Sequence, residues 1–222
     1  IATLLSTGVK VHMEVEIGKD LSLEQLRGDF DAVYIAIGAQ TDKKIPLEGG
    51  DAEGIISAVD LLRKIGDDEY PDFSGKRVMV VGGGNVAMDV ARTSVRLGAE
   101  SVGVVYRRRK ADMTALPGEV EAAIGEGCEI YELHTPHKIE KDEQGHVTAL
   151  WIQPQMIGRI RGDRPVPNKA SREPVRIPCD LLIVAIGQGI ESKEFEKGGI
   201  PVHEGVIESL SSTGVEGVPG IY

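Results

Sequence analysis

The run Val81-Gly82-Gly83-Gly84-Asn85-Val86-Ala87 places small residues at a GxGxxA spacing, on Gly82, Gly84 and Ala87. Each of these positions has its own physical use. Gly82 permits a tight turn at the end of a strand, Gly84 lets a pyrophosphate approach the backbone, and Ala87 lets a helix sit close to that strand. The start of the helix adds unpaired N–H groups and a dipole that favours phosphate. The pattern predicts a cradle for a dinucleotide, with a plain glycine-rich chain reversal as the alternative.

About 20 residues past such a turn, an acidic side chain usually accepts hydrogen bonds from the ribose hydroxyls. This chain instead carries Tyr106-Arg107-Arg108-Arg109-Lys110. Consecutive cations recognise ribose hydroxyls poorly but pair well with a 2′-phosphate, for which the arginine fork is suited. The expected ligand is therefore NADPH rather than NADH. Arg107 and Arg108 are the main phosphate contacts, and one arginine is free to stack on adenine. The alternative is a solvated basic turn on an acidic chain. Asn85 is placed to cap the helix and touch phosphate. Asp89 follows four residues later on the same helical face, either to orient nicotinamide or to pair with Arg92.

Other candidate groups give less. Arg159, Arg161, Arg164, Lys169, Arg172 and Arg176 form a basic run broken by Asp163 and Glu173. Without interleaved aromatics it reads as a solvated loop or a partner contact rather than a nucleic-acid surface. His134 and His137 lack a third ligand nearby, and His12, His146 and His203 are isolated, so no metal or catalytic role falls to them. Cys128 and Cys179 show no redox or metal spacing and read as buried thiols. No side-chain acid, base or nucleophile is expected.

The elements that must hold the cradle follow from the hydrophobic pattern. A valine-rich strand over 77–81, the glycine turn, a helix over 86–97 stopped by Gly98 and a strand over 101–106 form one strand–turn–helix–strand unit. A helix over 118–124 and a strand over 129–133 continue it. Upstream, 8–17 alternates as a strand through Val9, Val11, Met13, Val15 and Ile17, and 21–26 allows one helical turn. The apolar run 30–37 reads as a strand buried on both faces, and 56–65 has helical spacing. Residues 137–178 read as two or three antiparallel strands joined by a long Pro- and Arg-bearing loop, and 181–186 as a further buried strand. Ala36-Ile37-Gly38-Ala39-Gln40 and Ala185-Ile186-Gly187-Gln188-Gly189 nearly repeat one another, as paired crossings between two domains would.

The composition agrees with an α/β fold. The 222 residues can enclose a core, and with one Trp and three Phe that core must consist mainly of Val, Ile, Leu and Ala. A net charge of −10 gives no general attraction for nucleic acid or anionic lipid. No stretch approaches the roughly 20 apolar residues of a membrane helix. A cytoplasmic protein without membrane or nucleic-acid partners is expected. Ile1 in place of an initiator Met, and the apolar run reaching Tyr222, read as the ends of a fragment.

The run 82–92, with Arg96-Leu97-Gly98-Ala99, Val105-Tyr106-Arg107-Arg108, Met113 and 119–127, resembles the small-subunit family of NADPH-dependent glutamate synthase. This flavoprotein branch is shared with the N-terminal part of dihydropyrimidine dehydrogenase and related electron-transfer subunits. The resemblance implies a Rossmann-like NAD(P)-binding domain with a small antiparallel insertion, nested in a partial FAD-binding domain. Residues 1–45 and 190–222 would belong to the FAD domain and 46–189 to the NADPH domain, with the insertion at 137–178. Arg107 and Arg108 match the family's NADP phosphate pair. Ala36-Ile37-Gly38 and Ala185-Ile186-Gly187 match its two crossover motifs.

By the same resemblance the FAD pyrophosphate turn, the Gly-Asp that meets the flavin and the cysteine-rich iron–sulfur segment fall outside this sequence. The piece alone would then hold no stable FAD and be inactive. Its parent would pass hydride from NADPH to FAD, and electrons onward to iron–sulfur centres or a larger partner subunit. A disulfide-reductase-like flavoenzyme and a non-catalytic nucleotide-sensing or scaffold subunit are the competing readings.

Overall fold

The computed structural model describes residues 2–161, 164–209 and 214–222. The chain forms two compact units, Thr41–Gln188 and the paired segments Ile1–Gln40 and Gly189–Tyr222.

The unit Thr41–Gln188 is built on five parallel strands. In chain order its elements are β1 (Ile55–Ser57), α1 (Ala58–Gly66), β2 (Arg77–Val81), α2 (Asn85–Arg96), β3 (Ser101–Tyr106), α3 (Pro117–Gly125) and β4 (Glu129–Glu132). Then follow β5 (His134–Lys141), β6 (Val147–Arg161), β7 (Arg164–Lys169), β8 (Val175–Pro178) and β9 (Leu181–Val184). The parallel sheet has the order β1-β9-β2-β3-β4. Alternate side chains of β2 explain its unbroken apolar sequence. Val78 and Val80 pack with Met88, Val90 and Ala91 of α2, whereas Met79 and Val81 pack with Ile139, Leu150 and Ile152 of the antiparallel insertion. The sheet is thus covered by helices on one face and by a second sheet on the other.

That second sheet has four strands. β6 pairs antiparallel with β5 and β8 through its first half, and with β7 through its second. The stretch expected as a long loop is therefore largely a hairpin. Pro165 and Pro167 disguise it in the sequence, but β7 sits at the sheet edge, where a missing N–H costs no ladder bond. Strand β1 was also hidden, because the helical spacing of 56–65 ran through it. Ser57 ends the strand and caps α1 by accepting a 2.9 Å hydrogen bond from the N–H of Asp60.

The insertion has one strongly perturbed acid. Glu140 on β5 accepts hydrogen bonds from Arg176 Nη2 at 2.7 Å and Trp151 Nε1 at 2.9 Å. Arg176, then the indole N–H, holds its carboxyl down to about 2. A depressed carboxyl stabilises the fold at pH above the ordinary carboxylate range, and that contribution fades as pH falls through the folded value. Glu140→Gln is expected to lower the melting midpoint near neutral pH. Its midpoint should converge with that of the native chain as pH approaches about 2. A midpoint difference that stays constant over that acid range would contradict the assignment.

In the other unit, helix Leu23–Asp29 starts with a reciprocal cap. Ser22 Oγ accepts from the Gln25 N–H at 3.1 Å, and Gln25 Oε1 accepts from the Ser22 N–H at 2.8 Å. Leu23, Phe195, Ile200, Val215 and Ile221 make its small core. Two expectations fail here. The segment 8–17 forms no strand: Val9, Val11 and Met13 are exposed, and only Ile17 bridges, to Leu21. Alternation makes a strand only where a sheet offers a face, and no described strand pairs with this one. Residues 30–37 are not buried on both faces either. Val33 bridges Ile221 in parallel, while Phe30 and Tyr34 are exposed.

Candidate functional site

The carboxyl ends of β2, β3 and β9 open on a cavity of about 630 Å³ within the unit Thr41–Gln188. β2 continues to β3 on one side and has β9, much later in the chain, on the other, so the crossovers part at its tip. Such a switch point in an open parallel sheet leaves a crevice where ligands bind.

The glycine turn forms the floor. Gly82 has a φ of +150°, and a Cβ there would collide with the carbonyl oxygen of Ala185. The bonds Gly82 N–H to Val105 O (3.1 Å) and Ala185 N–H to Val81 O (2.8 Å) stitch the three strand ends together. Gly83 lies against the ring of Tyr106, where a Cβ would clash with the aromatic carbons. Gly84 differs from both. Its φ of −100° and ψ of 177° suit any residue, and a Cβ would meet only Thr114 Oγ1 at 3.5 Å. No protein atom requires glycine there. The open space beside Gly84 lies on the cavity wall it shares with Thr114, and a pyrophosphate approaching the backbone would use it.

Gly84 is also the N-cap of α2 and offers no side-chain acceptor to the first turn of the helix. The first N–H groups of a helix lack internal partners and suit an anion. Asn85 does not cap, contrary to expectation. It is the first helical residue, and its Oδ1 accepts from the Leu116 N–H at 2.9 Å, tying the loop after β3 to the turn. Val86 lines the cavity, and Ala87 is fully buried beneath it, where its small side chain lets α2 lie on the sheet. Asp89 is exposed one turn further along and does not line the cavity. The Asp89–Arg92 pair does not form, because Arg92 turns to Glu119 (2.6 Å) and Glu126 (2.8 Å) instead.

The basic end of β3 divides by function. Arg107 and Arg108 line the cavity, and Arg109 closes on Asp112 at 2.8 Å. That hydrogen bond holds the Asp112 carboxyl below the ordinary carboxylate range, and it occupies the nearby negative charge. Arg108 is fixed on both sides. Its Nε donates to Pro165 O at 2.7 Å, and its carbonyl accepts from the Leu133 N–H at 2.9 Å. Tyr106 is buried and donates its hydroxyl to Asp112 O at 2.8 Å. On the opposite wall, Ala185, Ile186 and Gly187 follow β9.

Arg164 of β7 also lines this cavity, as do Thr114 and Thr135. Thr114 and Thr135 carry no signal in the sequence, and Arg164 stands there only as one member of the basic run 159–176, because what brings all three to the cavity is tertiary. Arg164 meets Tyr106 across 58 residues of chain. Cys128 and Cys179 are buried, one in the core on the helical face of the sheet and the other in the core on its opposite face. Burial pushes their thiols to about 11 and about 12, so neither is a reactive thiolate. Among the described residues no cluster of His, Cys, Asp or Glu could hold a metal, and no helix is long and apolar enough to cross a membrane.

A parallel sheet with a glycine turn at its switch point and a cavity at a helix start defines a Rossmann-like NAD(P)-binding fold of the α/β class. Residues 2–222 match the family model described as pyridine nucleotide-disulphide oxidoreductase, and the chain belongs to that family. It is 35% identical to the NADP(+)-dependent formate dehydrogenase subunit beta of Moorella thermoacetica, a match covering 100% of this chain and 32% of that protein. It is 32% identical to a putative glutamate synthase [NADPH] small chain of Cereibacter sphaeroides, over 100% of this chain and 56% of that protein. The chain thus spans from 32% to 56% of the length of these relatives. The fold is similar to that of Mycobacterium tuberculosis FprA in complex with NADPH, with a TM-score of 0.75 at 20% identity, covering 94% of this chain and 60% of that one. The family is one of flavin- and NAD(P)H-linked oxidoreductases related to the glutamate synthase small subunit.

Proposed function

We propose that the unit Thr41–Gln188 binds NADPH and positions it for hydride transfer. The observation that carries this reading is the convergence of Arg107 and Arg108 on the same cavity as the uncapped start of α2 at Gly84. The pyrophosphate would lie over Gly84 and the first turn of α2, and the adenosine 2′-phosphate against Arg107 and Arg108 at the tip of β3. The nicotinamide half then falls on the opposite side of β2, along Ala185, Ile186 and Gly187. The protein supplies orientation and electrostatics, while the nicotinamide supplies the hydride.

The longer protein is proposed to pass that hydride to FAD, and electrons on to iron–sulfur centres or a partner subunit. Residues 1–45 and 190–222 are proposed to be parts of its FAD domain, and 46–189 its NADPH domain. Within the unit formed by Ile1–Gln40 and Gly189–Tyr222, no described strand runs into a glycine-rich helix start as β2 does. The described residues therefore furnish no pyrophosphate cradle for FAD, and no step through a flavin is assigned to them. The thiols of Cys128 and Cys179 lie in separate cores, which weighs against dithiol chemistry by this pair.

Calorimetric titration with NADPH and with NADH tests the reading. Binding of NADPH at least about tenfold tighter is expected, since a charge-assisted hydrogen bond contributes roughly 1.5–3 kcal/mol. Equal affinity for the two cofactors, or none for either, would sink it.

A further inference from the structure

The antiparallel insertion reaches the cavity through Thr135 and Pro136 of β5 and through Arg164 at the start of β7, and the β7 contact is the charged one. There two arginines cross between elements. Arg164 Nη2 donates to Tyr106 Oη at 3.1 Å and to Asp112 O at 3.1 Å. In return, Pro165 O accepts the 2.7 Å hydrogen bond from Arg108 Nε. The hairpin and the basic turn after β3 are thus docked on each other by reciprocal bonds, and Arg107, Arg108 and Arg164 share one cavity wall.

The charges around this wall are distributed unevenly. The Asp112 carboxylate, the nearest acid on the turn, receives Arg109 through Oδ2 at 2.8 Å and Oδ1 at 2.9 Å. Among the described residues, the hydrogen bonds of Arg164 go to the backbone carbonyl of that residue and to a phenol, both neutral. A guanidinium has five N–H donors, and these two bonds use those of Nη2 alone. Its charge and its remaining donors suit a dianionic oxygen cluster better than a ribose hydroxyl.

We propose that Arg164 is a third cation for the adenosine 2′-phosphate, delivered by the insertion, and that it sets selectivity for the phosphorylated dinucleotide. This rests on the reading of the cavity as an NADPH site. It gives the insertion a role in recognition besides covering the sheet. Tyr106 serves as a positioning residue, since its ring backs Gly83 while its hydroxyl holds the Arg164 fork.

The test compares adenosine 2′,5′-bisphosphate with 5′-AMP, two probes that differ by the 2′-phosphate alone, titrated into the full chain. Arg164→Gln keeps a polar side chain with N–H donors but removes the charge, and its shorter reach gives up the bonds that Nη2 makes to Tyr106 and Asp112. It is expected to weaken the bisphosphate on the order of tenfold to a hundredfold while leaving 5′-AMP within about twofold. Arg164→Lys, which restores charge without the fork, should recover part of the loss. Equal weakening of both probes would assign Arg164 a structural role only and overturn the proposal. An unchanged Arg164→Gln, beside an Arg107→Ala/Arg108→Ala variant that does lose the bisphosphate, would overturn it and leave the NADPH reading standing. A native chain that does not distinguish the two probes would bring down both.

Discussion

The double variant Arg107→Ala/Arg108→Ala is expected to bind NADPH at least about a hundredfold more weakly than the native chain, a loss of roughly 3 kcal/mol. NADH affinity should change little, so the preference between the cofactors collapses. The two side chains differ in setting. Arg107 is exposed, and Arg108 is half-buried and fixed through Nε to the Pro165 carbonyl. Most of the effect should therefore come from Arg108, whose orientation is settled before ligand arrives. The Arg107 share is screened by solvent and should shrink as salt rises. Titration of both cofactors at low and high ionic strength checks this. A double variant that still prefers NADPH would show that the 2′-phosphate is held elsewhere.

The second large effect separates two neighbouring glycines. Gly84→Ala should fold as well as the native chain, because its backbone suits alanine and only Thr114 Oγ1 lies near the new methyl group, at 3.5 Å. A glycine replaced at a compatible site can even gain up to about 1 kcal/mol by restricting the unfolded chain. The methyl group would nonetheless stand where the pyrophosphate approaches, and dinucleotide affinity is expected to fall by about a hundredfold or more. Gly82→Ala should do the reverse in order of cause. The φ of +150° and the collision with the Ala185 carbonyl are expected to cost about 2–4 kcal/mol of stability, and binding fails because the strand ends part. Chemical denaturation alongside titration distinguishes the two. If Gly84→Ala binds normally, the opening beside Gly84 is not the phosphate site.

The sequence makes contiguous signals legible where the element finds its partner, and leaves contacts between distant segments unwritten. The unit from Arg77 to Tyr106 was legible because its information is contiguous: valines for a strand buried on both sides, glycines for the turn, and Gly98 to stop the helix. The hairpin at β7 was not, because Pro165 and Pro167 signal a loop unless the strand is known to lie at an edge. Segments 8–17 and 30–37 had strand patterns, but a pattern cannot state whether a partner strand lies alongside. Arg164 was visible only as one cation among six, and what distinguishes it is the bond to Tyr106. Asn85 shows the same limit. Its position favoured capping, yet its carbonyl is taken by Leu116 from the far side of the loop.

The length of β6 has a further consequence. One end of this strand is rooted among Leu150 and Ile152 in the core, and the other carries the arm that ends at the cavity. Residues added or removed beyond Met156 would change how far the arm extends without disturbing the buried root. Cofactor choice in such a protein can therefore drift through insertions and deletions at a distance from the glycine turn. Foldability is written in the first half of β6, and preference in the hairpin that its second half makes with β7.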